Sequence, residues 1–163
     1  MNKKLKIILG IILGMMVIGG AITVILFIFL PGTVEDVYDD NERIASRSES
    51  KIYRNKRETV LNGDYQLSFV FSGIDTLWTV EPENNETALI VTYNSEITEG
   101  KFKAVLVDPD GTIQVIFEGT DQGTKEIPLK QGESRFRIVG EEAEGEINLS
   151  IMSEDSVEIN TTS

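Results

Sequence analysis

Tyr65-Gln66-Leu67-Ser68-Phe69-Val70-Phe71 places Tyr65, Leu67, Phe69 and Phe71 at every second position. In an extended chain successive side chains point to opposite faces, so these four line one side of a half-buried strand. The same texture continues on the C-terminal side. Leu77 to Val80, Ala88 to Tyr93, Phe102 to Val107, Ile113 to Phe117, Lys125 to Leu129, Arg135 to Val139 and Ile147 to Ile151 are short apolar-rich runs. They recur at a spacing of roughly ten residues with no helical period between them, which predicts an all-β fold.

Turn chemistry separates the runs. Asp108-Pro109-Asp110-Gly111 sits between two of them, with proline presetting φ and glycine able to take a positive φ. Gln131-Gly132-Glu133 and residues 119–123 supply further connections. The expected architecture is an antiparallel β-sandwich or jelly roll of about eight strands over residues 61–152, with residues 153–163 as a flexible tail.

Upstream the composition changes. Ile7 to Leu30 is an uncharged apolar run. As a helix its 24 residues span about 36 Å at 1.5 Å per residue, enough to cross a hydrocarbon core. A cleaved signal peptide has a shorter apolar region ending in small residues, whereas this run ends Leu26-Phe27-Ile28-Phe29-Leu30. An uncleaved transmembrane helix is therefore expected. Lys3, Lys4 and Lys6 precede it and Glu35, Asp36, Asp39, Asp40 and Glu42 follow it. Lysine retention predicts a cytoplasmic N-terminus of residues 1–6 and a C-terminal domain outside the cell membrane. Gly10, Gly14 and Ala21 share a face on which two such helices could approach closely as a homodimer.

Residues 31–60 read as a charged stalk. Its cations, Arg43, Arg47, Lys51, Arg54, Lys56 and Arg57, are candidates for contact with anionic lipid heads or an anionic wall polymer, or for a solvated linker.

Charge and missing residue types exclude whole classes of chemistry. All 27 acidic residues follow residue 30, where 12 of the 15 cations remain, for a net charge of −15 beyond the apolar run. Such a surface repels nucleic acid. With no cysteine there is no disulfide framework, thiolate zinc site or lipidated thiol. With no histidine, the commonest metal ligand and general base are missing. The EF-hand pattern also fails at Asp108-Pro109-Asp110-Gly111, because Gly111 follows Asp110 directly. No enzyme activity, cofactor or metal is expected. Trp78 with Tyr65 and Tyr93 is a candidate aromatic platform for stacking sugars, set against burial of all three in the core.

The second half carries a resemblance. Leu106-Val107-Asp108-Pro109-Asp110-Gly111, the run from Ile127 to Gly140, and Gly145-Glu146-Ile147-Asn148-Leu149-Ser150-Ile151 resemble small extracytoplasmic β-sandwich modules of bacterial surface proteins. They are similar to the pre-peptidase C-terminal type. There a turn glycine precedes an aromatic strand and a later glycine opens the last strand, places matched by Gly132, Phe136 and Gly145. The family usually has tyrosine where Phe136 stands. The resemblance implies a binding or accessory module without catalytic residues. The function expected is a membrane-anchored, non-enzymatic ectodomain that binds a protein partner or envelope component, or else a carbohydrate- or wall-polymer-binding module.

Overall fold

The computed structural model describes residues 37–61, 64–84, 87–153 and 156–162, all within the unit Asp36–Ser163. The apolar run 7–30, with Gly10, Gly14 and Ala21, lies outside the described residues. Among those described, no helix is long and apolar enough to cross a membrane.

A short helix α1 (Asn41–Ala45) is followed by β1 (Ser50–Leu61), β2 (Asp64–Pro82), β3 (Ala88–Val107), β4 (Ile113–Glu118), β5 (Asp121–Pro128), β6 (Ser134–Ser153) and β7 (Val157–Thr161). The seven strands form one antiparallel sheet in the order β1-β2-β6-β3-β4, with β5 also on β3 and β7 also on β2. The alternation around Tyr65–Phe71 behaves as expected: Tyr65, Leu67, Phe69 and Phe71 are all buried.

The eight expected runs are fewer strands than they seem, because β2, β3 and β6 each absorb two. Tyr65 and Trp78 both lie on β2, where a straight strand would hold them about 43 Å apart at 3.3 Å per residue. Their ring centroids are instead 5.2 Å apart, edge to face. The long strands bend back over themselves, and the ladder slips register at each corner: Phe71/Gly73 on β2, and Ile97/Glu99 and Glu99/Lys101 on β3. Gly73 has φ +116°, and a Cβ there would run into the backbone carbonyl of Ser50 on β1. In the sequence such a glycine looks like a turn between two strands. Here it lets one strand bend without reversing.

The bend makes two leaves. The first is β1-β2-β6-β3-β5, built from the N-terminal halves of β2 and β3 and the C-terminal half of β6. The second is β7-β2-β6-β3-β4, built from their other halves. Between them lies one core containing Leu67, Phe69, Phe71, Leu89, Phe102, Leu106, Phe117, Phe136, Ile138 and Ile147. Phe69 stacks on Phe102 across it, with centroids 4.9 Å apart.

The second leaf is buried on both faces. Its outer side gathers Ile74, Val105, Val107 and Val139 with Val37, Tyr38 and Ile44. Residues 37–48 therefore form a strap over that leaf. Burying side chains such as Val37 and Ile44 contributes about 1.5–3 kcal/mol each. Asp40 caps α1, its Oδ1 accepting from the Arg43 N–H at 3.0 Å. This corrects the stalk expected over 31–60, whose described part is a capped helical turn, a strap and an edge strand. The tail expected over 153–163 likewise contains β7, paired with Trp78–Pro82. β1 is mostly polar, and β7 offers only two alternating apolar residues, Val157 and Ile159, too short a run to stand out.

Candidate functional site

The strap is held by two arginines from β6. Arg137 is 0 % exposed. Its guanidinium donates to the carbonyls of Ile44 (2.6 Å), Ser46 (2.6 Å) and Ser48 (2.8 Å) and to Thr76 Oγ1 (3.1 Å). Arg135 donates to Ala45 O (2.7 Å) and Ser46 O (2.8 Å). These carbonyls lie at and beyond the C-terminal end of α1, where a cation meets unsatisfied acceptors. Burial, reinforced by the charge of Arg135, lowers the Arg137 guanidinium to about 10. Tyr38 fastens the other end of the strap. Its hydroxyl donates to Glu118 Oε1 at 2.8 Å, and its ring lies 4.3 Å from Lys103 Nζ. Burial and the Glu118 acceptor push the Tyr38 phenol up.

A second polar cluster occupies the edge of β2 between β1 and β7. Asp75, 3 % exposed, accepts from Lys51 Nζ and the Tyr53 hydroxyl, both at 2.6 Å. Glu49 sits 3.1 Å from the same ammonium. Burial works to lower the Lys51 pKa, but Asp75 and Glu49 outweigh it and hold it above the ordinary value. For Glu49, burial is likewise outweighed by hydrogen bonds from Thr76 and Lys51, which lower it. Burial and the Asp75 contact push the Tyr53 phenol up. The adjoining cavity, about 20 Å³ and lined by Lys51, Lys56, Glu58, Tyr65 and Asp75 among others, has room for about one water.

The aromatic platform expected of Trp78, Tyr65 and Tyr93 does not form. They are 6 %, 2 % and 6 % exposed. Trp78 packs edge to face against Tyr65 and Phe136, and Tyr93 stacks on Phe117 at 4.7 Å. All three have the inward parity of the core, so no ring face is free for a sugar.

Nor do the six cations of residues 43–57 make one patch. Arg47 pairs with Glu133 at 3.0 Å, Lys51 with Asp75, and Lys56 with Glu58 at 2.6 Å, while Arg43 lies in α1. Arg54 and Arg57 flank a register slip in β1, where Asn55 takes φ 54°. Charges and a bulge on a free edge discourage pairing with another chain. Replacing Arg54, Lys56 and Arg57 together with threonine is expected to cause concentration-dependent self-association in sedimentation velocity. A variant that sediments as the parent does would remove this edge-protecting role.

At the Asp108-Pro109-Asp110-Gly111 turn, Lys130 Nζ lies 2.9 Å from Asp108 Oδ2 and 2.8 Å from Asp110 Oδ2. An ammonium thus fills the position a cation would take. Glu141, Glu142, Glu144 and Glu146 belong to the bend of β6. Among the described residues no group of three or more acidic side chains is placed to hold a metal ion. An open cleft of about 480 Å³ is lined by Glu81, Pro82, Glu83, Gln131 and Glu158 among others.

The outer face of the first leaf is the one broad sheet face among the described residues left uncovered by the strap. Its register aligns Gln122, Asn94, Asn148, Gln66 and Thr59 in one row across five strands. The next row is Thr124, Thr92, Ser150, Asp64 and Leu61. Sequence reading missed this face, because the residues come from five strands and meet only through register.

No protein-family model matches the chain, and no curated protein matches it. Several solved structures are similar. Procruciferin, the 11S globulin of Brassica napus, is 18% identical over 72% of this chain and 30% of that one, with a TM-score of 0.33. The chain thus spans under a third of the globulin's length. A carbohydrate-binding module of Cellvibrio mixtus lichenase 5A, solved with cellotriose, is 16% identical over 74% of this chain and 95% of that one, with a TM-score of 0.35. The xylan-binding CBM22-1 domain of Paenibacillus barcinonensis Xyn10C is 12% identical over 69% and 82%, with a TM-score of 0.18. Likenesses at this level assign no ligand. Of the residues that carried the pre-peptidase resemblance, Gly132 precedes β6 and Phe136 faces the core, whereas Gly145 lies inside β6 and opens no strand.

Proposed function

We propose that the chain is a membrane-anchored, non-enzymatic β-sandwich displayed outside the cytoplasm, where it binds an envelope component, polymer or protein. The observation that supports this most is the strap. The segment following the apolar run enters the fold through buried Val37, Tyr38 and Ile44, and two arginines hold its carbonyls. A domain gripped this firmly at its entry suits display on a tether. The three lysines before the apolar run and the acidic stretch after it favour the outward direction. The chain's lack of histidine and cysteine favours binding over catalysis.

A peroxidase fused after Ser163, supplied with a membrane-impermeant biotin-phenol on intact cells, tests this reading. Self-labelling together with labelled envelope proteins is expected. Absence of self-labelling overturns the outward topology. Self-labelling with no envelope component above background overturns binding to a protein partner.

A further inference from the structure

We infer that the uncovered outer face of the first leaf docks a neutral polysaccharide chain across the row Gln122–Asn94–Asn148–Gln66. This deepens the proposed function by naming a surface and a ligand class. Four strands at about 4.8 Å spacing make the row about 14 Å long, and the Thr124–Thr92–Ser150–Asp64 row runs parallel to it. These two rows carry one formal charge, Asp64, in a chain whose charged residues are 26% of the total and whose net charge is −12. Asparagine is depleted in strands, yet Asn94 and Asn148 stand side by side in the middle of this one.

The side chains are those a polyol requires. An amide offers both donors and an acceptor, and a hydroxyl can do either. Thr92 and Thr124 share one hydrogen bond at 3.0 Å, and Asn148 Nδ2 reaches Glu146 Oε1 only at 3.5 Å. Among the described residues the side-chain amides of Gln66, Asn94 and Gln122 are free to bond outward. Ile90 and Met152, paired across β3 and β6 and both exposed, border the Thr124–Ser150 row and give a sugar ring's C–H face something apolar to rest on. The bordering row on the other side is Glu96, Glu146, Ser68 and Arg57, and Glu126 lies beside Ile90, so acids outnumber the one cation around the face and disfavour an anionic polymer. The occupant that matches is long, hydroxylated and uncharged.

The test is affinity electrophoresis of the full-length chain in non-ionic detergent. The gels carry hydroxyethylcellulose, galactomannan or dextran, with polygalacturonate as the anionic control. At least one neutral polymer is expected to slow migration. Asn94→Ala/Asn148→Ala, and separately Gln66→Ala/Gln122→Ala, are expected to weaken that retardation tenfold or more, with the Trp78 emission and the thermal midpoint unchanged. Glu83→Gln, beyond the second-leaf end of β2, is expected to leave it intact.

No retardation by any neutral polymer overturns the inference. So does retardation by polygalacturonate alone, or retardation that survives both amide variants. Concentration-dependent dimerisation lost in the amide variants, with no polymer binding, assigns the face to a second copy and also overturns it. Polymer binding is read on purified chain and topology on intact cells, so either reading can fail while the other stands.

Discussion

Replacing Arg137 with methionine is expected to destabilise the sandwich by about 3–5 kcal/mol. Methionine matches the stem but removes every donor, so the carbonyls of Ile44 and Ser48 and the hydroxyl of Thr76 lose their charged partner, while Ser46 O keeps the bond from Arg135. Each buried acceptor left unpaired costs about 1–3 kcal/mol, and local relaxation limits the sum. Trp78 is the only tryptophan and is packed in the core, so urea denaturation followed by its emission reports the loss. Arg137→Lys is expected to recover little of it. An ammonium has three donors on one atom and cannot span three carbonyls and a hydroxyl as a planar fork does. Trypsin is expected to cut the Arg137→Met variant early at Arg43 and Arg47, once the strap loosens. A destabilisation under about 1 kcal/mol, the ordinary size of a single neutral hydrogen bond, would show that the strap is held by its apolar contacts alone.

The second large effect belongs to Gly73→Ala. The backbone there has φ +116°, and a methyl group would occupy the space of the Ser50 carbonyl. Backbone strain of about 1–3 kcal/mol adds to about 1–3 kcal/mol for displacing packed neighbours, so a loss of about 2–6 kcal/mol is expected. Because the obstacle is main chain, no rotamer change relieves it. The N-terminal half of β1 must move off β2, and hydrogen exchange at residues 50–54 should quicken beyond the global change. Gly119→Ala is the control. It also has a positive φ, +65°, but nothing within 4 Å of the new methyl, so it should cost about 1 kcal/mol from backbone strain alone. Equal losses at the two sites would refute the steric account.

Much of the core was legible in the sequence, because parity along a strand is a local property. Tyr65, Leu67, Phe69 and Phe71 alternate and are buried together, as are Leu89, Val91 and Tyr93. Strand number was misread where a glycine bends a strand instead of ending it, because Gly73 and a turn glycine look alike in the sequence. β1 left little apolar trace because Lys51 and Glu58 flank Tyr53 on its inward side and line a polar edge, while Ile52, Val60 and Leu61 are exposed. Arg137 was the least legible residue. In Arg135-Phe136-Arg137-Ile138 it has the parity of a solvent-facing side chain, and what covers it comes from some 90 positions earlier in the chain. The candidate docking row was hidden for the same reason, since register between distant strands creates it. The aromatic platform failed through a parity already visible. Tyr65 shares its face with Leu67 and Phe69, and that face had to be the core.

The arginine-held strap also determines how the protein bears tension. A pull arriving through residue 37 meets Tyr38, Ile44 and the two guanidinium groups before it reaches Ser50. Several bonds at the clamp share that load and must fail nearly together. The ladder from β1 to β2 would instead open one pair at a time from Ser50 and Ile74 onward. Under such a load Arg135 and Arg137 would act as a strain relief for a strand that peels easily.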